Sequence, residues 1–275
     1  MKRIFRPIAT ALILATVAHA GESPFDPSRG LVELPVTVNG LVSGKFGLDT
    51  GADRLYVDKT FATTNRLGTT KSTKYEVRGI DGASSAEYIE LGSLKFADES
   101  LYDIGATVVD LSALTKDAGN GTPDGLIGFD VLRRFYVTVD FPHHTINLEQ
   151  SQPDFLSGNQ YEEVPFELVK HYIMVDVIIN GTTPARMMLD YCASYTVITP
   201  ELAERTGIGG EYGELESISA GSSAETSHVK VAVVNHNNIL KGSPNLDIDG
   251  ILGATFLYPH VITVDYRRAK IYVHE

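Results

Sequence analysis

The chain has 275 residues, 43% hydrophobic and 21% charged, enough apolar material for one large or two smaller cores and outside the composition of disordered chains. Asp and Glu number 35 against 23 Lys and Arg, a net charge of -12 with no basic run, so nucleic acid is not an expected partner. The single Cys excludes a disulfide framework and thiolate-rich zinc or iron–sulfur sites; stability must come from packing.

At the N-terminus, Lys2, Arg3 and Arg6 precede an apolar run from Ile8 to Ala18 and the small-residue site Ala18-His19-Ala20. This is the layout of a secretory signal peptide, so residues 1–20 are expected to be removed and the protein exported, to the periplasm or the medium. The run is shorter than the roughly 18–20 residues that span a bilayer, and no later segment qualifies, so no integral span is expected after cleavage. Loss of three cations leaves an acidic chain of 255 residues with net charge -15. Only about ten residues lie between Ala20 and Leu31, so no long prosegment is expected.

From Leu31 onward the pattern is β. Leu31–Val38, Phe46–Leu48, Tyr88–Leu91, Tyr136–Asp140 and Thr145–Leu148 are short, rich in β-branched or aromatic residues, and bounded by turn residues. Asn39-Gly40 is predicted to turn a hairpin, as is Asn180-Gly181, because both residue types tolerate positive φ. Asp130–Arg134 and Pro200–Arg205 are the candidate helices. Gln150 to Gln160 is polar and contains Pro153 and Gly158, which places a linker at residues 150–163.

The two sides of that linker repeat one another. Val38-Asn39-Gly40, Phe46-Gly47-Leu48-Asp49, Ala52 and Tyr56-Val57 lie over Ile179-Asn180-Gly181, Met187-Met188-Leu189-Asp190, Ala193 and Val197-Ile198 at a constant offset of 141. Asp124 to Gly128 and Val137 to Asp140 recur as Asp249 to Gly253 and Ile262 to Asp265 at an offset of 125. The first half therefore carries 16 extra residues, expected mostly between Phe96 and Gly121 because Ser84-Ser85-Ala86-Glu87 lies over Ser222-Ser223-Ala224-Glu225. An all-β chain of two homologous barrel-like lobes, residues 21–149 and 164–275, is predicted. Asp140 and Asp265 recur at matching strand ends and read as structural turn residues, and Asp53-Arg54 as a local ion pair.

Each half places an Asp directly after an apolar strand. Asp49-Thr50-Gly51-Ala52-Asp53 resembles the active-site loop of aspartic peptidases, and Leu126-Ile127-Gly128 and Ile251-Leu252-Gly253 resemble the apolar-apolar-Gly element that this family sets beside the loop in each lobe. The resemblance covers nearly the whole chain after residue 20 and, by the short lobes, is closer to two fused retropepsin-like units than to the larger pepsins. It implies two acid-protease barrels related by a pseudo-two-fold axis, with catalytic Asp49 and Asp190 meeting between them and Thr50, Gly51, Ala52, Tyr191, Cys192, Ala193, Gly128 and Gly253 supporting the loops. One shared proton lets the ionised carboxyl activate water while the other stabilises the oxyanion, with no metal or other cofactor. A monomer cleaving peptides or unfolded proteins is implied.

The second loop, Asp190-Tyr191-Cys192-Ala193, departs from the family pattern, which has Thr or Ser at position 191 and Gly at 192. In the family the Thr hydroxyl bonds across to the opposite loop and the Gly lets the backbones pass closely. The departure motivates a competing expectation, a catalytically degenerate protein that binds a peptide or other ligand in the cleft. Cys192 reads as a small apolar residue rather than a nucleophile. A substrate-covering flap is placed at Tyr75 to Gly82, with Tyr75 and Ile80 as contacts and Gly79 and Gly82 as hinges; Ile218 to Ser223 is its counterpart in the second half.

Overall fold

The structure, a computed structural model, describes residues 22–28, 30–68, 73–79, 82–112, 121–158, 161–222, 224–235 and 246–274; the expected signal peptide lies outside them. In chain order the first half runs β1 (Glu22–Pro24), β2 (Glu33–Val38), β3 (Val42–Leu48), β4 (Tyr56–Asp58), α1 (Lys59–Thr64), β5 (Thr73–Gly79), β6 (Gly82–Phe96), β7 (Glu99–Val109), β8 (Gly125–Ile127), α2 (Phe129–Leu132), β9 (Tyr136–Asp140) and β10 (Thr145–Glu149). After a 3-10 turn at Asp154–Ser157 follow β11 (Tyr161–Pro165), β12 (Glu167–Val169), β13 (Tyr172–Ile179), β14 (Thr183–Leu189), β15 (Thr196–Ile198), α3 (Pro200–Thr206), β16 (Tyr212–Ala220), β17 (Ala224–Val233), β18 (Gly250–Leu252), α4 (Ala254–Leu257), β19 (Val261–Asp265) and β20 (Lys270–His274). Among the described residues no helix is long and apolar enough to cross a membrane.

Period-two burial explains the strands: in β13, Ile173, Val175, Val177 and Ile179 are buried while Asp176 and Ile178 are exposed. Asn39 and Gly40 (φ 53° and 69°) and Asn180 and Gly181 (φ 50° and 69°) make the expected hairpin turns with both residues at positive φ. The helices are one or two turns each. Thr199 caps α3 by accepting from Leu202 N at 3.2 Å, with Pro200 at its first position and Gly207 closing it in the left-handed region. Asp58 caps α1 through Thr60 N and Phe61 N; α1 and α4 were not anticipated from the sequence.

Each lobe closes into a six-stranded barrel. In the first, the order β2-β3-β8-β4-β7-β6 is joined end to end by β2–β6 pairing, and in the second β13-β14-β18-β15-β17-β16 is joined by β13–β16. Each barrel carries one additional strand, β5 on the first and β12 on the second. Between the lobes lies a six-stranded sheet, β1-β10-β9-β19-β20-β11, to which both halves contribute. At its centre β9 runs antiparallel to its own repeat β19 with Thr138 opposite Thr263, residues separated by the repeat offset of 125, and their hydroxyls bond at 2.8 Å. A strand paired with its repeat about equivalent residues marks the pseudo-two-fold axis.

The repeat extends further than the sequence reading took it. Pro24 pairs with Thr145 and Pro165 with Lys270; Phe25 packs on Phe141 and Phe166 on Tyr266; Lys45 bonds Asp26 and Arg186 bonds Glu167. The signal was the Pro-Phe-acid triplet at 24–26 and 165–167. The position expected for the 16 extra residues is corrected by strand register. The β6–β7 turn at Ala97-Asp98 corresponds to the β16–β17 turn at Gly221-Ser222, because β7 pairs in parallel with β4 as β17 does with β15. Those turns lie 28 and 29 residues before Gly125 and Gly250, so the excess lies upstream, in β5 and the start of β6. The Ser-Ser-Ala-Glu match paired short polar runs that occupy different places in the two barrels.

Thr138→Val removes the hydroxyl pair on the axis while Thr263 keeps a 3.0 Å contact with His274 Nε2. The expected cost is about 1 kcal/mol, read as a lower urea midpoint at unchanged slope.

Candidate active site

The same backbone device holds each Asp. Asp49 N donates to Ile127 O (3.0 Å) and Asp190 N to Leu252 O (3.1 Å), so each loop leaves its strand beside the apolar-apolar-Gly element. Gly128 and Gly253 then pass under the loops. A Cβ on Gly128 would lie 2.4 Å from Arg54 O, and one on Gly253 2.2 Å from Tyr195 O, so neither position admits a side chain. Phe129 N and Ala254 N, immediately after them, bond Ala52 O (2.9 Å) and Ala193 O (2.8 Å). The amides of Gly51 and Cys192 donate to Oδ1 of Asp49 and Asp190, each at 2.8 Å.

The two carboxyl groups meet at Gly51. A Cβ built on that glycine would sit 3.1 Å from Asp190 Oδ2 and 3.2 Å from Asp49 Oδ1, so its bare α-carbon is what lets the second lobe's carboxyl approach. Both Asp residues are half-buried. Burial pushes Asp49 above the usual carboxylate range and the charge of Asp190 beside it adds to this, against the Gly51 and Ala52 amides. Burial likewise raises Asp190, opposed by the Cys192 amide. Like charges this close favour retention of one proton by the pair.

The second loop is where the lobes differ. Thr50 is buried, and its Oγ1 donates to Leu189 O (2.8 Å) and accepts from Tyr191 N (3.1 Å), latching the second loop from the first lobe. Tyr191 does not return the bond. Its ring packs edge-on to Phe141 at 5.6 Å, and its buried hydroxyl has no partner among the described residues. Cys192 is half-buried and its sulfur crosses to the first lobe, against the cluster of Ala86, Val109, Leu111 and Leu126. Room for it comes from Gly47, where a Cβ would lie 3.2 Å from the sulfur. The side chain that the family pattern forbids at 192 is thus accommodated by a side chain missing from strand β3.

The flap expectation meets a hairpin. β5 and β6 pair from Thr73↔Tyr88 to Gly79↔Gly82, while β6 pairs β7 only from Glu87 onward, so Tyr75, Gly79 and Gly82 lie on a two-stranded ribbon running past the barrel. Ile80, at its tip, lies outside the described residues. Of the counterpart expected at Ile218 to Ser223, Ile218 to Ala220 end β16 and Gly221-Ser222 turn towards β17, with Ser222 N and Oγ both donating to Glu162 Oε1 of β11; Ser223 lies outside the described residues. Among the described residues only the first lobe carries such a ribbon. Asp53 pairs with Arg54 at 2.7 Å as expected and also accepts from Tyr56 OH at 2.6 Å. Asp140 and Asp265 cap their own turns, through His143 N and Arg267 N. The sequence reading missed His171, whose Nε2 lies 3.1 Å from the Gly51 carbonyl; the repeat offset of 141 sets it against Gly30 and was the available signal.

Thr50→Val leaves Tyr191 N and Leu189 O without their bonds, with an expected loss of roughly 2–4 kcal/mol in chemical denaturation. Tyr191→Phe deletes a buried hydroxyl that has no partner among the described residues, and stability is expected to hold or rise by about 1 kcal/mol.

A family model described as aspartyl protease matches residues 34–131 and again residues 175–256, one match per barrel and together more than half of the chain. No match was found among curated proteins. Two matched repeats, each ending its third-strand equivalent in an Asp loop seated on a glycine element, place this chain in the aspartyl protease family.

Proposed function

We propose that this aspartyl protease is an exported, monomeric endopeptidase that hydrolyses peptide bonds of unfolded polypeptide with Asp49 and Asp190 as its catalytic pair. The observation that carries the reading is the convergence of the two carboxyl groups on Gly51, across the lobe interface. In the singly protonated pair the carboxylate takes a proton from water as its oxygen attacks the peptide carbonyl carbon, and the carboxylic acid gives its proton to the carbonyl oxygen. Collapse of the resulting gem-diol breaks the C–N bond and passes a proton to the leaving nitrogen. The Gly51 and Cys192 amides orient the carboxyls throughout.

The expected outcome is cleavage of unfolded protein at acidic pH, inhibition by a statine-type transition-state analogue, and loss of activity in both Asp49→Asn and Asp190→Asn. Activity falls on the alkaline side as the shared proton leaves, later than for ordinary carboxyls because both are raised. Stability follows the same linkage. Above the ordinary carboxylate value of 3.8 the folded pair still holds a proton that the unfolded chain has released, so stability declines as pH rises through that window. Asp49→Asn is therefore expected to be more stable than the parent at neutral pH, with the difference closing towards pH 3.8.

Tyr191 and Cys192 favour one second reading, a binding protein that keeps the cleft and has lost the chemistry. Absence of cleavage across the acidic range, with activity created by Tyr191→Thr combined with Cys192→Gly, decides for it. Export rests on the Lys2 to Ala20 layout. N-terminal sequencing of the exported form is expected to start at or near Gly21, and an intact Met1 on membranes contradicts it.

A further inference from the structure

We propose that His171 is a cross-lobe positioning residue of this site: from the second lobe its Nε2–H donates to the Gly51 carbonyl and holds the Asp49 loop in register with Asp190. The proposal rests on the Asp49–Asp190 reading above. A carbonyl oxygen only accepts, so the 3.1 Å contact requires the proton on Nε2, which sets the tautomer of the ring.

The pseudo-symmetry shows what is unusual about this contact. Gly30, which precedes β2, and His171, which precedes β13, are equivalent at the 141-residue offset, and each lies against the Asp loop of the opposite lobe. On one side the contact is bare backbone: a Cβ on Gly30 would come 2.9 Å from Ser194 Cβ, and nearby Val32 N donates to Tyr191 O at 3.4 Å. On the other side an imidazole fills the space and makes a hydrogen bond. His171 belongs to the turn joining β12 to β13; among the described residues the equivalent pairing in the first half is a single antiparallel bridge, Asp26↔Glu33.

The bond stands where the site has lost one. Thr50 latches the second loop, but Tyr191, buried in the aromatic cluster with Phe141, sends no side-chain bond back to the first loop. His171 supplies a side-chain donor from the second lobe to that loop, one residue along. The position is effective because both peptides flanking Gly51 end on Asp49: the Gly51 N–H donates to Oδ1 at 2.8 Å, and the Ala52 N–H also stabilises the carboxylate. A donor on the Gly51 carbonyl fixes the plane of the Gly51–Ala52 peptide and polarises its N–H towards the carboxyl.

The ring is half-buried against that of Tyr172, the two tilted by 43° with centroids 3.9 Å apart. The charged groups facing it are Asp53, Lys170 and Arg54, and Asp53 is itself paired with Arg54 and Tyr56 OH. Burial, with Lys170 and Arg54, lowers the imidazole below its ordinary value against the opposing pull of Asp53 and the Gly51 carbonyl, which keeps the ring neutral at neutral pH.

The test compares His171→Phe, which keeps a ring and loses the donor, with His171→Gln, whose side-chain amide can return a donor to the Nε2 position. Steady-state kinetics on a peptide substrate are paired with NMR titration of the Asp49 and Asp190 carboxyl carbons. His171→Phe is expected to lower kcat by about 10-fold or more with KM within about twofold, and to move the carboxyl titration upward. His171→Gln is expected to restore both towards the parent. An unchanged kcat and titration in His171→Phe, or no restoration by His171→Gln, overturns the proposal. If the parent cleaves nothing, the peptidase reading fails while the titration still decides the role of His171: a shift in His171→Phe reversed in His171→Gln supports it, and no shift overturns it. Should His171→Phe not fold, ring 15N shifts of the parent decide, since a proton on Nδ1 alone rules the bond out.

Discussion

Two carboxyl groups on separate lobes must be brought close together although both are half-buried and both would carry the same charge. Desolvation and mutual repulsion oppose that arrangement, and the rest of the molecule is organised to impose it. The interlobe sheet provides the frame, because β9 and β19 meet about Thr138 and Thr263 and so relate the lobes as same-handed copies turned about one pseudo-two-fold axis. Glycines supply the approach. Gly128 and Gly253 let strand and loop backbones touch, and Gly51 leaves space at the point where the opposite carboxyl arrives. Backbone amides of each loop then turn to their own Asp, so every carboxyl has a donor that does not depend on solvent.

Duplication explains the symmetry of this arrangement, and divergence explains its bias. The first lobe has the complete Asp-Thr-Gly loop and the β5–β6 ribbon; the second has β12 and the turn carrying His171. Volume has been exchanged across the interface. Cys192 projects from the second loop into room left by Gly47, whereas Gly51 is the bare member of the corresponding loop and Met188 the filled strand position equivalent to Gly47. Interiors pack at near-crystalline density, so a side chain gained on one face of an interface is tolerated where one is absent opposite. Tyr191 follows the same logic, its ring absorbed by Phe141 in a cluster that also touches Phe25 and Tyr258. The threonine latch consequently runs from Thr50 alone, and the side-chain bond in the other direction comes from His171 rather than from position 191.

Much of this was readable from residue order. Strand periodicity, the paired Asn-Gly turns and the repeat offsets of 141 and 125 all depend on local geometry or on identity at fixed spacing, which survive in one dimension. So did the Asp loops and their glycine elements, since tight backbone approach leaves few residue types possible. The repeat signal was weakest where the halves differ in length. There a match of four residues, Ser-Ser-Ala-Glu, shifted the insertion by one hairpin, and only strand pairing at Tyr56↔Thr107 and Thr196↔Val231 restored the correspondence.

What chain order established, then, is a duplicated β protein with one Asp loop per half, because turns, alternation and glycine constraints are written in adjacent residues. Contacts between lobes needed three dimensions. That Gly47 makes room for Cys192, that Tyr191 turns away into an aromatic cluster, and that His171 reaches the Gly51 carbonyl 120 residues away all depend on the angle at which the two barrels meet. That angle comes from the register of β9 on β19, a pairing between strands 125 residues apart that no local preference specifies.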